Sequence, residues 1–368
     1  MTDLPESKNF KTLYSYDTVY CADSLEWCPF EPHQNLFVCA NYQLLDAENK
    51  NDDLPKERVG RILLFSVDKD DGLKLLQTID TAAVLDQKWC CQKIGDDSLL
   101  GVVNAKNTLE IYKLTTNESE GVKLEFFTSF STEVEATETL FLSLDWSIGK
   151  FINDSVKIVC STSKGDVLLF ELINSKIKLL FKCHSHDYEA WIAAFYYWDP
   201  NIFFSGGDDC VFHKYDLRVG NSPISKNRSH EAGVTSIHCN ISKEFILATG
   251  SYDENIRIWD IRNIKQCTSS IKMPGPVWRV KWDPFTQNNL LSACMLGGVH
   301  VINAENIENL EIVDSFYEHK NIAYGADWCY LPQDRIDVDF NLSESCIIGS
   351  CSFYDHLLCV SKIKLNLN

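Results

Sequence analysis

What this 368-residue chain lacks narrows its identity first. No apolar run approaches the roughly 18 residues of a membrane-spanning helix. The opening "MTDLPESKNF" has neither a basic segment nor an apolar one, so no secretory signal is expected. Cations are scarce: 34 Lys and Arg face 52 Asp and Glu, for a net charge of −18. That balance speaks against a nucleic-acid partner, whose phosphates are held by clustered Lys and Arg. None of the 15 cysteines is spaced as a C-x-x-C pair, so they are expected to be reduced thiols packed as small hydrophobes in a cytoplasmic protein. The sequence has no G-x-S-x-G elbow, H-E-x-x-H, P-loop or G-x-G-x-x-G. "CHSH", residues 183–186, is the only metal-like cluster and fits no zinc signature, so neither metal nor cofactor is expected.

What is present is a repeat. Residues 230–260, "HEAGVTSIHCNISKEFILATGSYDENIRIWD", read as three short strands separated by turn-formers, the pattern of half-buried antiparallel strands. The unit ends in Trp259-Asp260 and has the form of a WD40 repeat. In such a unit His230, Ser251, Asp253 and Trp259 are expected to form a structural chain of hydrogen bonds. Weaker copies place Phe65, Tyr112, Phe170, Tyr215, Ile302 and Val360 at the Trp position. Charged-residue–Trp pairs recur at the end of the first strand: Glu26-Trp27, Asp145-Trp146, Lys281-Trp282 and Asp327-Trp328. Seven copies predict an all-β, seven-bladed WD40 β-propeller spanning 1–368 as one domain. The last copy is short of its outer strand, and "NFKTLYSYD" near the N-terminus is expected to supply it and close the ring. Residues 44–60, charged and containing Pro55, read as a loop inserted in blade 1.

A site on such a ring is built from turns that converge on one face of the central channel. Blade 4 offers His186, Glu189 and Trp191 from "CHSHDYEAW", with Asp208 and Asp209 from "GGDD". His186 and Asp209 also suit the ordinary loop and turn positions of the repeat. Blade 6 offers Trp278 and Arg279, and blade 7 offers Tyr324 with the turn "CSFYDHLL". There Tyr354 aligns with Asp253 of the template and is followed by Asp355 and His356. An imidazole beside a carboxylate is the common arrangement of a general base.

Together "EAWIAAFYYWDP", "SGGDD", "VWRVKWDPF", "YGADW" and "CSFYDHLL" resemble the WD-repeat diphthine methylesterases of diphthamide biosynthesis. The resemblance is specific over residues 189–358 and rests on blade pattern alone before that. It implies hydrolysis of the methyl ester of methylated diphthine, a modified histidine on translation elongation factor 2, with release of methanol. The substrate's trimethylammonium group would suit a rim of Trp191, Trp278, Tyr324 and Tyr354 beside Glu189, Asp208 and Asp209. His356 would be the base, oriented by Asp355 or Asp208 and acting on water or Ser352, with Arg279 facing the oxyanion. The expected partner is the elongation factor, with no membrane or nucleic acid and the protein a monomer. The competing readings are a non-enzymatic propeller scaffold of ubiquitin-ligase or membrane-traffic assemblies and a metal-dependent hydrolase built on "CHSH".

Overall fold

The computed structural model describes residues 9–45, 57–68, 71–117, 119, 121–131, 139–147, 156–331 and 345–365. Its strands form seven four-stranded antiparallel sheets, the blades of a β-propeller. The seven innermost strands, in blade order, are Cys21–Trp27, Val84–Trp89, Phe141–Trp146, Ile192–Phe195, Val234–Cys239, Arg279–Trp282 and Ala323–Trp328. They are almost wholly buried, because one face of each turns to the channel and the other to a neighbouring blade. Successive side chains on a strand point to opposite faces. The charged-residue–Trp pairs follow from this: Glu26, Asp145, Lys281 and Asp327 face the channel, while Trp27, Trp146, Trp282 and Trp328 pack between blades.

The ring closes as the sequence predicts. Phe10–Asp17 pairs with Leu357–Lys364, from Phe10 opposite Ile363 to Asp17 opposite Leu357, and is the outer strand of the last blade. Closure within one blade, by the two ends of the chain, leaves no open edge in the ring.

Two expectations about the repeats are corrected. In blade 1 the ladder runs into the 44–60 segment, with Leu44 opposite Arg58 and Gln43 opposite Val59, and residues 46–56 lie outside the described residues. In blade 7 the turn is one residue longer than the template's. Ser251 and Ser352 each pair with the start of their inner strand, yet Leu247 pairs with Trp259 whereas the equivalent Ile348 pairs with Ser361. The Trp position of blade 7 is therefore Ser361, and Val360 turns instead toward blade 1, among Leu25 and Phe65.

Candidate active site

The inner strands stack three rings of side chains down the channel. Strands of blades 1, 2, 3, 5 and 7 each carry a bulge near their start, and the extra residues are Asp23, Leu85, Leu142, Thr235 and Tyr324. A bulge re-aims its extra side chain. By register, Trp191 and Trp278, each directly before its inner strand, take the same place in blades 4 and 6. This is the mouth ring. The ring below includes Asp86 and Arg279, paired at 3.2 Å, and the lowest holds Glu26, Lys88, Asp145, His238, Lys281 and Asp327.

The mouth ring, Thr235 apart, lines a cavity of about 910 Å³. Aromatic side chains form much of its wall. Trp278 stacks on Tyr324 with ring centres 4.7 Å apart, Trp191 meets Trp278 at 5.6 Å, and Tyr252 lies 6.0 Å from both tryptophans. Phe353 continues the wall, 5.3 Å from Tyr324 and 4.8 Å from Tyr354. Two buried polar atoms of the lining have no hydrogen-bond partner: Asp23 Oδ1 and Trp278 Nε1. Burial pushes the Asp23 carboxyl up to about 8; Arg279 opposes the rise and Asp86 adds to it.

His356 stands at the wall of this cavity in the left-handed backbone region, φ 55°. Its carbonyl oxygen accepts the Thr18 N–H at 2.9 Å and lies 3.1 Å from the Thr18 hydroxyl. Thr18 belongs to the strap linking the N-terminal strand to blade 1, and the next residue, Val19, is itself left-handed at φ 67° and exposed. A β-branched residue in that region is strained, so the surrounding contacts hold the strap in one shape. The imidazole Nε2 lies 3.8 Å from Cys21 Sγ. Burial, and after it the charge of Asp23, push the Cys21 thiol up, which favours the neutral thiol over a thiolate.

Residues 221–260 match the family described as WD domain, G-beta repeat. A mouse protein named diphthine methyltransferase is 37% identical over 337 residues, covering 87% of this chain and 70% of the relative. A Dictyostelium discoideum protein named diphthine methyltransferase homolog is also 37% identical, covering 93% of this chain and 96% of the relative. The chain belongs to the diphthine methyltransferase family. In fold it is similar to a chain in the crystal structure of the mitotic checkpoint complex, with TM-score 0.69 at 16% identity, over 98% of this chain and 97% of that one.

Within this family member the structure sorts the residues singled out by sequence. Glu189, Trp191, Trp278, Tyr324, Tyr354 and His356 converge on the cavity. His186 and Asp209 do not line it. His186 Nδ1 donates to Asp209 at 2.9 Å, its Nε2 accepts from Ser205 at 2.7 Å, and Ser205 lies 3.0 Å from the Tyr215 hydroxyl. His230, Asp253, Thr249 and Trp259 make the same chain in blade 5. Thr249 is thus the middle link there, and Ser251 instead caps the turn by accepting the Asp253 N–H at 3.0 Å. Asp208 accepts the Trp191 indole N–H at 2.9 Å and so positions a wall residue.

Asp355, not Tyr354, is the turn aspartate of blade 7, and Tyr354 is the inserted residue. Asp355 accepts the Lys320 N–H at 2.9 Å and the Ser352 hydroxyl, while His319 bonds Ser350 at 2.8 Å. The His356 ring bonds neither Asp355 nor Asp208, and the Ser352 hydroxyl is engaged by Asp355. Arg279 is buried one layer below the mouth and engaged with Asp86, which removes it from the oxyanion position. The "CHSH" side chains diverge: Cys183 Sγ contacts the His184 carbonyl, His184 bonds Asp166 and His186 bonds Asp209. Asp23, Cys21, Tyr252 and Phe353 were not anticipated. A signal for Asp23 exists, since each of the seven mouth-ring residues lies four positions before the last residue of its inner strand.

Proposed function

We propose that the protein hydrolyses the methyl ester of methylated diphthine on translation elongation factor 2, giving diphthine and methanol, as a cytoplasmic monomer. The observation that carries the reading is the His356 imidazole, on a backbone clamped by Thr18, at the wall of an aromatic cavity. An ester with an adjoining cationic group finds there a base, apolar ring faces and an unpaired N–H donor. Water attacks the ester carbonyl while His356 Nε2 takes its proton. The developing oxyanion is met by the unpaired Trp278 Nε1 donor. Collapse breaks the carbon–methoxy bond, the imidazolium returns the proton to the methoxy oxygen, and methanol leaves. Val19 and Tyr354, exposed beside the mouth, offer apolar contact to a protein substrate.

The relatives' name points to the second reading, methyl transfer onto diphthine. The purified protein is incubated with the methylated factor, without any methyl donor, and methanol is measured. Release that falls about a hundredfold or more in His356→Ala supports the hydrolase. Transfer from a sulfonium methyl donor, with no methanol formed, would establish the transferase instead. Inactivity in both assays would favour a scaffold.

A further inference from the structure

Asp23 is a charged exception in an otherwise uncharged ring. The equivalent places in the other blades hold Leu85, Leu142, Trp191, Thr235, Trp278 and Tyr324, so the repeat has no need of a carboxylate there. The side chain is 5% exposed, its Oδ1 has no hydrogen-bond partner, and it lines the cavity whose wall is Trp191, Tyr252, Trp278, Tyr324 and Phe353. The positive group below it, Arg279, is engaged by Asp86. Arg279 exerts its charge on Asp23 from below, yet no hydrogen bond reaches Oδ1, so a buried carboxyl with a free oxygen facing ring faces can take a further cation from the cavity side. A cation with no N–H to donate fits this set best, because the walls offer π faces more than acceptors.

We propose that Asp23 is the counter-ion of a quaternary ammonium group held among the aromatic side chains of the channel mouth. This deepens the hydrolase reading, which supplies the class of substrate, and it assigns the cation to Asp23 instead of Asp208 or Asp209, which are occupied by Trp191 and His186. The groups around Asp23 are Arg279 and Asp86 below, Cys21 on its own strand with His356 against it, and Tyr324 on blade 7. Burial favours the protonated carboxyl in the empty cavity. Cation binding therefore draws off a proton, and affinity rises with pH up to about 8 and then levels.

The test is calorimetric titration of the full chain with (trimethylammonio)acetamide and with 3,3-dimethylbutanamide, its uncharged carbon isostere. Neither probe carries the ester. The charged probe is expected to bind about tenfold or more tightly than the isostere, with a preference that shrinks as pH is lowered from 8 to 6 and is lost in Asp23→Asn. Asp23→Leu, which installs the residue of the equivalent positions in blades 2 and 3, gives a second variant compatible with the ring and should behave alike. Equal binding of the two probes, or an undiminished preference in both folded variants, overturns the proposal. Methanol assays are independent of this outcome. Cation selectivity through Asp23 without methanol release would sink only the hydrolase reading, whereas methanol release with selectivity unchanged in both variants would sink only this assignment.

Discussion

His356 owes its place to a neighbour that is remote in sequence. Thr18 holds the His356 carbonyl through its amide, while its hydroxyl is shared between the Tyr20 carbonyl at 2.7 Å and the His356 carbonyl at 3.1 Å, and both His356 and Val19 sit in left-handed backbone that relaxes if the clamp is removed. Thr18→Val keeps the amide bond and size but removes the hydroxyl. Its kcat for ester hydrolysis is expected to fall about tenfold with KM little changed, since small misplacements of a reacting group are costly. Thr18→Ser restores it, and the thermal midpoint moves by less than about 3 °C, the scale of one lost side-chain hydrogen bond in a domain of this size. An equal fall in kcat for Thr18→Ser would show that the hydroxyl is not what positions His356.

At the scale of the element, the His–hydroxyl–Asp chains tie the loop before an inner strand to the turn between the next two strands. Asp209 illustrates the energetics: burial pushes its carboxyl up, but the His186 ring and the Val211 and Asp187 N–H groups, all directed at the carboxylate, together outweigh burial and hold it below the usual carboxylate range. A carboxyl depressed in the folded state stabilises the fold above its unfolded pKa of 3.8 and loses that contribution as pH falls below it. Asp209→Asn is therefore expected to flatten the loss of stability below about pH 4, read by urea unfolding across pH. Asp209→Ala should cost about 2 kcal/mol at pH 7 by the same measurement, as a charge-assisted bond to a buried partner is removed. These elements were legible in sequence where the template held, as at His186 and His230. They were misread at blade 7, because one added residue, Tyr354, moves the turn aspartate to Asp355, a shift that becomes visible only when strand register is known.

For the whole molecule, closure is the decisive device. The outer strand of the last blade comes from the N-terminal end, so removal of residues 1–17 would expose the Leu357–Lys364 edge and free the strap that holds His356. The truncated protein is expected to unfold at a midpoint about 10 °C or more lower, to aggregate with concentration, and to lose ester hydrolysis. An unchanged midpoint in scanning calorimetry would mean that the ring does not depend on this strand.

The amino-acid sequence alone determines the seven-fold repeat, the closing strand and the aromatic character of one face, because alternation, turn residues and the charged-residue–Trp pairs are local signals. Only the tertiary structure decides which charges act. Asp208, Asp209, Asp355 and Arg279 are all polar enough to be chemical candidates, yet each is engaged by a group from elsewhere in the chain: Trp191, His186, Lys320 and Asp86. Asp23, directly before Ser24, keeps an oxygen without a hydrogen bond because a bulge turns it into a mouth ring that the six other blades fill with uncharged side chains. Pairing between distant strands sets which groups are satisfied and which remain free, and that information is not local.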